Sequence, residues 1–245
     1  MIAHMNYGDH VTAVEREVAA LAGAFAAGPI DIRVPTCPEW TVADLADHVG
    51  GFTGFWSHVL CEGTGRPKPE FTERPANGDL GAWYAQLGAS LVAELKATAA
   101  EQQVWTWVPG QNNASFVARR CAHELAIHRF DAQAARAATA PIDGALAVDG
   151  IEEVFVLIEA WKADGHPESG AGQGRNLAFH RSDVVPVVHV SNHKLGLGRL
   201  APVSTCRQIA TPWSRSWSRP KRGRCAPLGA LRRRGARGPS SRFPE

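Results

Sequence analysis

Four stretches of this chain set large apolar residues at alternating spacings of three and four, and a chain patterned this way buries itself by packing helices. Between 10 and 27, Val11, Val14, Val18, Leu21 and Phe25 share one stripe, and Gly28-Pro29 closes the run. Val34-Pro35-Thr36-Cys37-Pro38-Glu39-Trp40 is too proline-rich for a helix and reads as a tight connector. Thr41 then offers an N-cap side chain, and Asp44 answers it from the third helical position. A second helix is expected from there to about Leu60, burying Val42, Leu45, Val49, Phe52 and Trp56. After a loop at 63–78, Asn77 or Asp79 can cap a third helix reaching about Ala99 and carrying Leu80, Trp83, Leu87, Leu91 and Leu95. A loop at 105–113 precedes a fourth helix over Ala114 to Ala138; Pro141 breaks the pattern, and Ile142 to Lys162 reads as a fifth. The expected fold class is mainly α: a four-helix bundle over 10–165, with the fifth helix packed on it or leading out.

Charge divides the chain where the helical pattern stops. Residues 171–245 hold 15 Lys and Arg against only Asp183 and Glu245, while residues 1–170 hold 11 basic and 22 acidic residues. Parts of such opposite character are not expected to share one physical role. Asn176 to His180 and Val184 to Val190 have strand character, whereas 200–245, with Arg232-Arg233-Arg234 and many Gly and Pro, keeps no sustained period. The expected organisation is a metal-binding bundle at 10–165, a remnant of a small α/β domain at 170–199 and a basic tail at 200–245, disordered or frame-shifted. The opening residues lack a basic stretch followed by an apolar core, and no run of about 18 apolar residues occurs, so neither a secretory signal nor a membrane span is expected. Five cysteines, at 37, 61, 121, 206 and 225, form no C-x-x-C pair and suggest reduced thiols in a cytosol.

The chemistry-bearing residues cluster in the fourth helix, Cys121-Ala122-His123-Glu124-Leu125-Ala126-Ile127-His128-Arg129-Phe130-Asp131. A zinc-protease H-E-x-x-H is absent, because His123 and His128 are five apart and sit about 140° out of line at about 100° per residue. Glu124 and His128, four apart, do share a face, and Asp131 falls on the same side. A carboxylate and an imidazole one turn apart offer two ligands to one ion, and a bundle site needs another from a facing helix. His48, set between Leu45 and Val49, is the best candidate. The metal set is therefore His48, Glu124 and His128, which leaves a fourth position open as in catalytic zinc sites. Asp44 and Asp131 are placed to fix the imidazole tautomers. Each half taken alone has an ordinary reading, a surface ion pair or a hydrogen-bonded core histidine.

Residues 34–48, Val-Pro-Thr-Cys-Pro-Glu-Trp-Thr-Val-Ala-Asp-Leu-Ala-Asp-His, together with His123 to Ala132, resemble the mycothiol-dependent maleylpyruvate isomerase family, part of the wider DinB-like group of metal-binding four-helix bundles. Ala145 to Glu153 is similar to the family's entry into its fifth helix, and the likeness covers roughly 10–180. It implies that His48, Glu124 and His128 hold a divalent metal, usually Zn2+, and that mycothiol, a low-molecular-weight thiol, is the co-substrate. The implied enzyme is an isomerase or S-transferase acting on a small electrophile, cytoplasmic, with the thiolate as nucleophile; no residue is singled out as catalytic. The family usually ends in a small α/β domain. Here Gly174 to His180 is similar to its first strand, and the likeness fades after Arg181 into a composition resembling a high-GC coding region read in another frame. Activity then depends on how much of that domain survives.

Two rival functions stand beside this one: a bundle that binds metal or thiol without turnover, and a basic-tailed nucleic-acid binder. The tail lacks a zinc finger, a helix-turn-helix pattern or stacking aromatics, which disfavours the second. Arg119, Arg120 and Arg129 could bind a carboxylate substrate, although helix arginines are mostly solvated. Trp40, Trp56, Trp105 and Trp107 read as core or loop anchors, Cys37 and Cys121 as core residues, and His58, His166, His180, His189 and His193 suggest no second site.

Overall fold

The structure, a computed structural model, describes residues 4–65, 73–74 and 79–163. The expected α/β remnant and basic tail lie outside these residues. Five helices account for most of the described chain: α1 (Tyr7–Ala26), α2 (Val42–Glu62), α3 (Leu80–Ala97), α4 (Ala114–Ala134) and α5 (Gly144–Ala163). A short antiparallel ribbon of β1 (Arg33–Val34) and β2 (Cys37–Thr41) joins α1 to α2. The proline-rich segment read as a connector is thus paired. Its prolines fall in the turn and on an edge, where a missing N–H costs no ladder bond.

Each of the first four helices begins at a side-chain cap. Asn6 and Asp9 form a reciprocal capping box at α1, and Thr41 and Asp44 form the expected one at α2. Asp79 caps α3, and Asn113 caps α4. The Asn6 cap starts α1 three residues before the apolar stripe suggests. Helix α4 ends at Ala134 rather than Ala138, and Ala137 turns into the left-handed region at φ 52°.

Helices α1 and α2 lie diagonally, each packed against both α3 and α4, and α5 leans on α4. Leu21, Phe25, Leu45, Val49, Leu91, Leu95 and Leu125 fill the centre, with Tyr84 fully buried and its hydroxyl 3.3 Å from Thr53 Oγ1. No helix among the described residues is long and apolar enough to cross a membrane. Cys61 and Cys121 are free thiols, Cys121 in the core as expected. Cys37 is disulfide-bonded, against the expectation of uniformly reduced cysteines.

The face that α3 turns inward is rotated from the one its large residues suggest. Tyr84, Gly81 and Gly88 are buried, whereas Trp83 and Leu87 are only half-buried. The reason is the approach of α1: a Cβ at Gly88 would lie 2.2 Å from Val18 Cγ1, and one at Gly81 2.6 Å from the Ala22 carbonyl oxygen. Glycine on both sides of Tyr84 admits a neighbouring backbone that a larger side chain would hold off. Gly81→Ala is accordingly expected to destabilise the protein, because the overlap costs about 1–3 kcal/mol while helix propensity returns about 1. Gly23→Ala, at an exposed helical position with nothing within 4 Å, should instead stabilise by up to about 1 kcal/mol. Urea melts of the two variants read the opposite signs directly.

Candidate metal centre

Glu124 and His128 stand one turn apart on α4 and face His48 from α2. The Glu124 Oε1 atom lies 3.2 Å from His128 Nε2 and 3.5 Å from His48 Nε2. The two imidazoles meet edge to face at 4.9 Å between centroids. All three donor atoms fall within 4.8 Å of one another. The structure thus brings together Glu124 and His128, paired by their helical spacing, with His48, the candidate from the facing helix.

The surrounding residues hold these donors in place. His128 Nδ1 lies 3.0 Å from Asp131 Oδ2, and the other oxygen of Asp131 accepts from Thr36 Oγ1 at 2.6 Å. Thr36 sits in the turn of the β ribbon, so that small element reaches His128 through Asp131. On the other imidazole, the Trp40 ring lies 5.0 Å from that of His48. Asp44, expected to orient His48, serves the helix cap instead: its Oδ2 accepts from the backbone N–H and hydroxyl of Thr41. Glu124 Oε2 is held by Arg120, which leaves Oε1 directed at the two imidazoles.

Electrostatics match a cation-binding role. Burial, and then the neighbouring His128, push the His48 pKa down to about 3, so its ring is neutral at pH 7 and keeps a lone pair to donate. Two imidazoles with a carboxylate are a donor set suited to zinc and similar divalent ions. The residues fit such an ion.

The arginines differ from expectation. Arg120 and Arg129 are buried and paired rather than solvated. Arg120 bridges Glu124 to Glu153 of α5. Arg129 donates to Glu17 Oε2 at 2.8 Å, to Gln133 Oε1, and to the carbonyls of Ala140 and Pro141. Their position on an arginine-rich helix looks superficial in sequence, because their acidic partners sit on α1 and α5. Neither guanidinium is available to a substrate carboxylate. Burial works against the charge on Glu153, but Arg120, His123 and Arg119 together outweigh it and hold that carboxyl down to about 2.

Residues 11–133 match the family described as the mycothiol maleylpyruvate isomerase N-terminal domain. The chain belongs to this family. No curated protein and no solved structure matches it. His48, Glu124, His128 and Asp131 all lie inside the matched span, and the mainly helical bundle agrees with a DinB-like fold. Membership associates the chain with isomerase-like proteins and with mycothiol, a low-molecular-weight thiol.

Sequence reading missed one group entirely. On the other side of α4, His123 meets His10 of α1 and Asp149 and Glu153 of α5, all of them buried. The only signals were that His123 lies out of line with His128, and that Asp149 and Glu153 are one turn apart in the fifth helix.

Proposed function

We propose that the bundle holds a divalent ion, zinc or one like it, through His48, Glu124 and His128, and that the protein is a thiol-dependent enzyme of the isomerase or S-transferase kind. The convergence of these three donors supports the reading, together with membership of a mycothiol family. An ion held by three protein ligands would supply Lewis acidity at its open position, lowering the pKa of a bound thiol so that thiolate is present near neutral pH. Asp131 would accept the Nδ1 proton of His128 and so direct its Nε2 toward Glu124. Arg120 would keep the Glu124 carboxylate ionised and turned inward. The substrate would be a small electrophile, the compartment cytoplasmic, and 10–165 the metal-binding unit.

Asp131→Asn should weaken zinc binding by about 10–100-fold, the usual effect of losing a carboxylate behind a metal-bound histidine. Competition with a chromophoric chelator measures it, and an unchanged affinity would remove Asp131 from this role. For the activity, isomerisation of maleylpyruvate in the presence of mycothiol, and adduct formation between mycothiol and a generic electrophile, are followed in zinc-loaded and metal-stripped protein. The reading expects turnover that requires both thiol and metal and is lost in Glu124→Gln. Binding of metal and thiol without turnover would contradict the enzymatic reading and leave a binding bundle.

A further inference from the structure

We infer that His10, His123 and Asp149 form a second divalent-cation site, on the opposite side of α4 from the first. Its donors come from α1, α4 and α5, and they lie within 4.8 Å of one another. Only His123 of the three falls inside the matched family span, so the site is not simply the family's metal centre seen again.

The first observation is crowding at one oxygen. Asp149 Oδ2 has His10 Nε2 at 2.9 Å, His123 Nε2 at 3.0 Å and Arg119 Nε at 2.9 Å. An oxygen of a carboxylate offers about two lone pairs, so three N–H donors exceed what it can accept. The contacts of His10 and Arg119 have hydrogen-bond geometry. That of His123 does not, although the atoms are close. Nitrogen and oxygen at contact distance without a shared hydrogen are what ligands around a common ion look like. The first site has the same signature between His48 and Glu124, at 3.5 Å.

The second observation is the number of unanswered polar atoms. His10 Nδ1, both ring nitrogens of His123 and Glu153 Oε1 are buried without a hydrogen bond. Buried polar atoms are nearly always paired, and several in one place call for an ion or water between them. His123 Nδ1 also lies 2.8 Å from Glu153 Oε2. A carboxylate behind the second nitrogen of a histidine is the usual support of a metal-bound imidazole. Glu153 stands behind His123 as Asp131 stands behind His128, the first contact close without hydrogen-bond geometry and the second a hydrogen bond.

Charge is compatible with a cation: Asp149 and Glu153 are both held ionised beside the imidazoles of His10 and His123, next to the guanidiniums of Arg119 and Arg120. Two histidines and one carboxylate suit first-row divalent ions such as zinc. Such an ion would pin α5 to α1 and α4, making this site a clamp on the bundle rather than a place for chemistry.

The test is zinc stoichiometry of the full chain after equilibration with a weak chelator, in wild type, His10→Gln, Asp149→Asn and His128→Ala. His10→Gln and Asp149→Asn should each bind one equivalent fewer than wild type and melt at a temperature that no longer rises as far with added zinc. His10→Gln keeps the side chain's size and an amide for hydrogen bonding, so it carries the test if Asp149→Asn does not fold. His128→Ala should also lose one equivalent, and the His10→Gln/His128→Ala double variant two. If both deep-site variants bind as much zinc as wild type, the inference is overturned and the cluster is a network of charges and protons. Loss in His128→Ala alone would overturn it while sparing the first site; loss in His10→Gln alone would sustain it and count against the first.

Discussion

Arg129→Met is expected to destabilise the protein by about 3–5 kcal/mol, the range observed when one member of a buried ion pair is removed. Arg129 and Glu17 are 4% and 3% exposed in their side chains, and the guanidinium also serves Gln133 and two carbonyls after α4. Methionine fills much of the volume but leaves Glu17 with Arg16 alone, whose side chain is 49% exposed. At roughly 2–4 °C per kcal/mol for a domain of this size, the melting temperature should fall by about 10 °C. Pairing the change with Glu17→Leu should recover much of the loss, because the stranded charge disappears with its partner. A single-variant cost below about 1 kcal/mol would mean that Glu17 finds water or a proton cheaply, and that the pair is not buried in solution.

Glu124→Gln should have the largest effect on metal binding, more than 100-fold. It removes the only anionic donor of the set while keeping the side chain's shape. The loss should exceed the roughly 10–100-fold expected at Asp131, which acts only through His128. Arg120 keeps its contact with Glu153, so the fold should survive and the comparison remain clean. Zinc affinity within tenfold of wild type would show that Glu124 is not a ligand.

The helices were legible because the apolar period located them, and at α2 and α3 the caps read from sequence, Thr41 with Asp44 and Asp79, agreed with it; at α1 the Asn6 cap starts the helix earlier than the stripe suggests. The face of α3 was less so, since a pattern search weighs Trp83 and Leu87 and gives nothing to Gly81 and Gly88, which decide how closely α1 approaches. At the first site, Glu124 and His128 could be paired by helical geometry. His48 needed either the resemblance or the structure, as no local rule joins α2 to α4. The second cluster was illegible for the same reason. His10 sits 113 residues before His123 and looks like an ordinary residue in the first turn of a helix. The arginines misled because helix position says nothing about acidic partners on other helices.

The account rests most on the His48, Glu124 and His128 set, and bound metal per chain in wild type beside His128→Ala tests it most directly. Both proteins would be loaded with zinc, freed of loosely held ions and analysed by elemental spectroscopy, with circular dichroism to confirm an intact helical fold. The account predicts that His128→Ala lacks one equivalent that wild type retains. Equal metal content in two folded proteins would contradict it and leave a helical bundle whose three converging donors serve some other purpose.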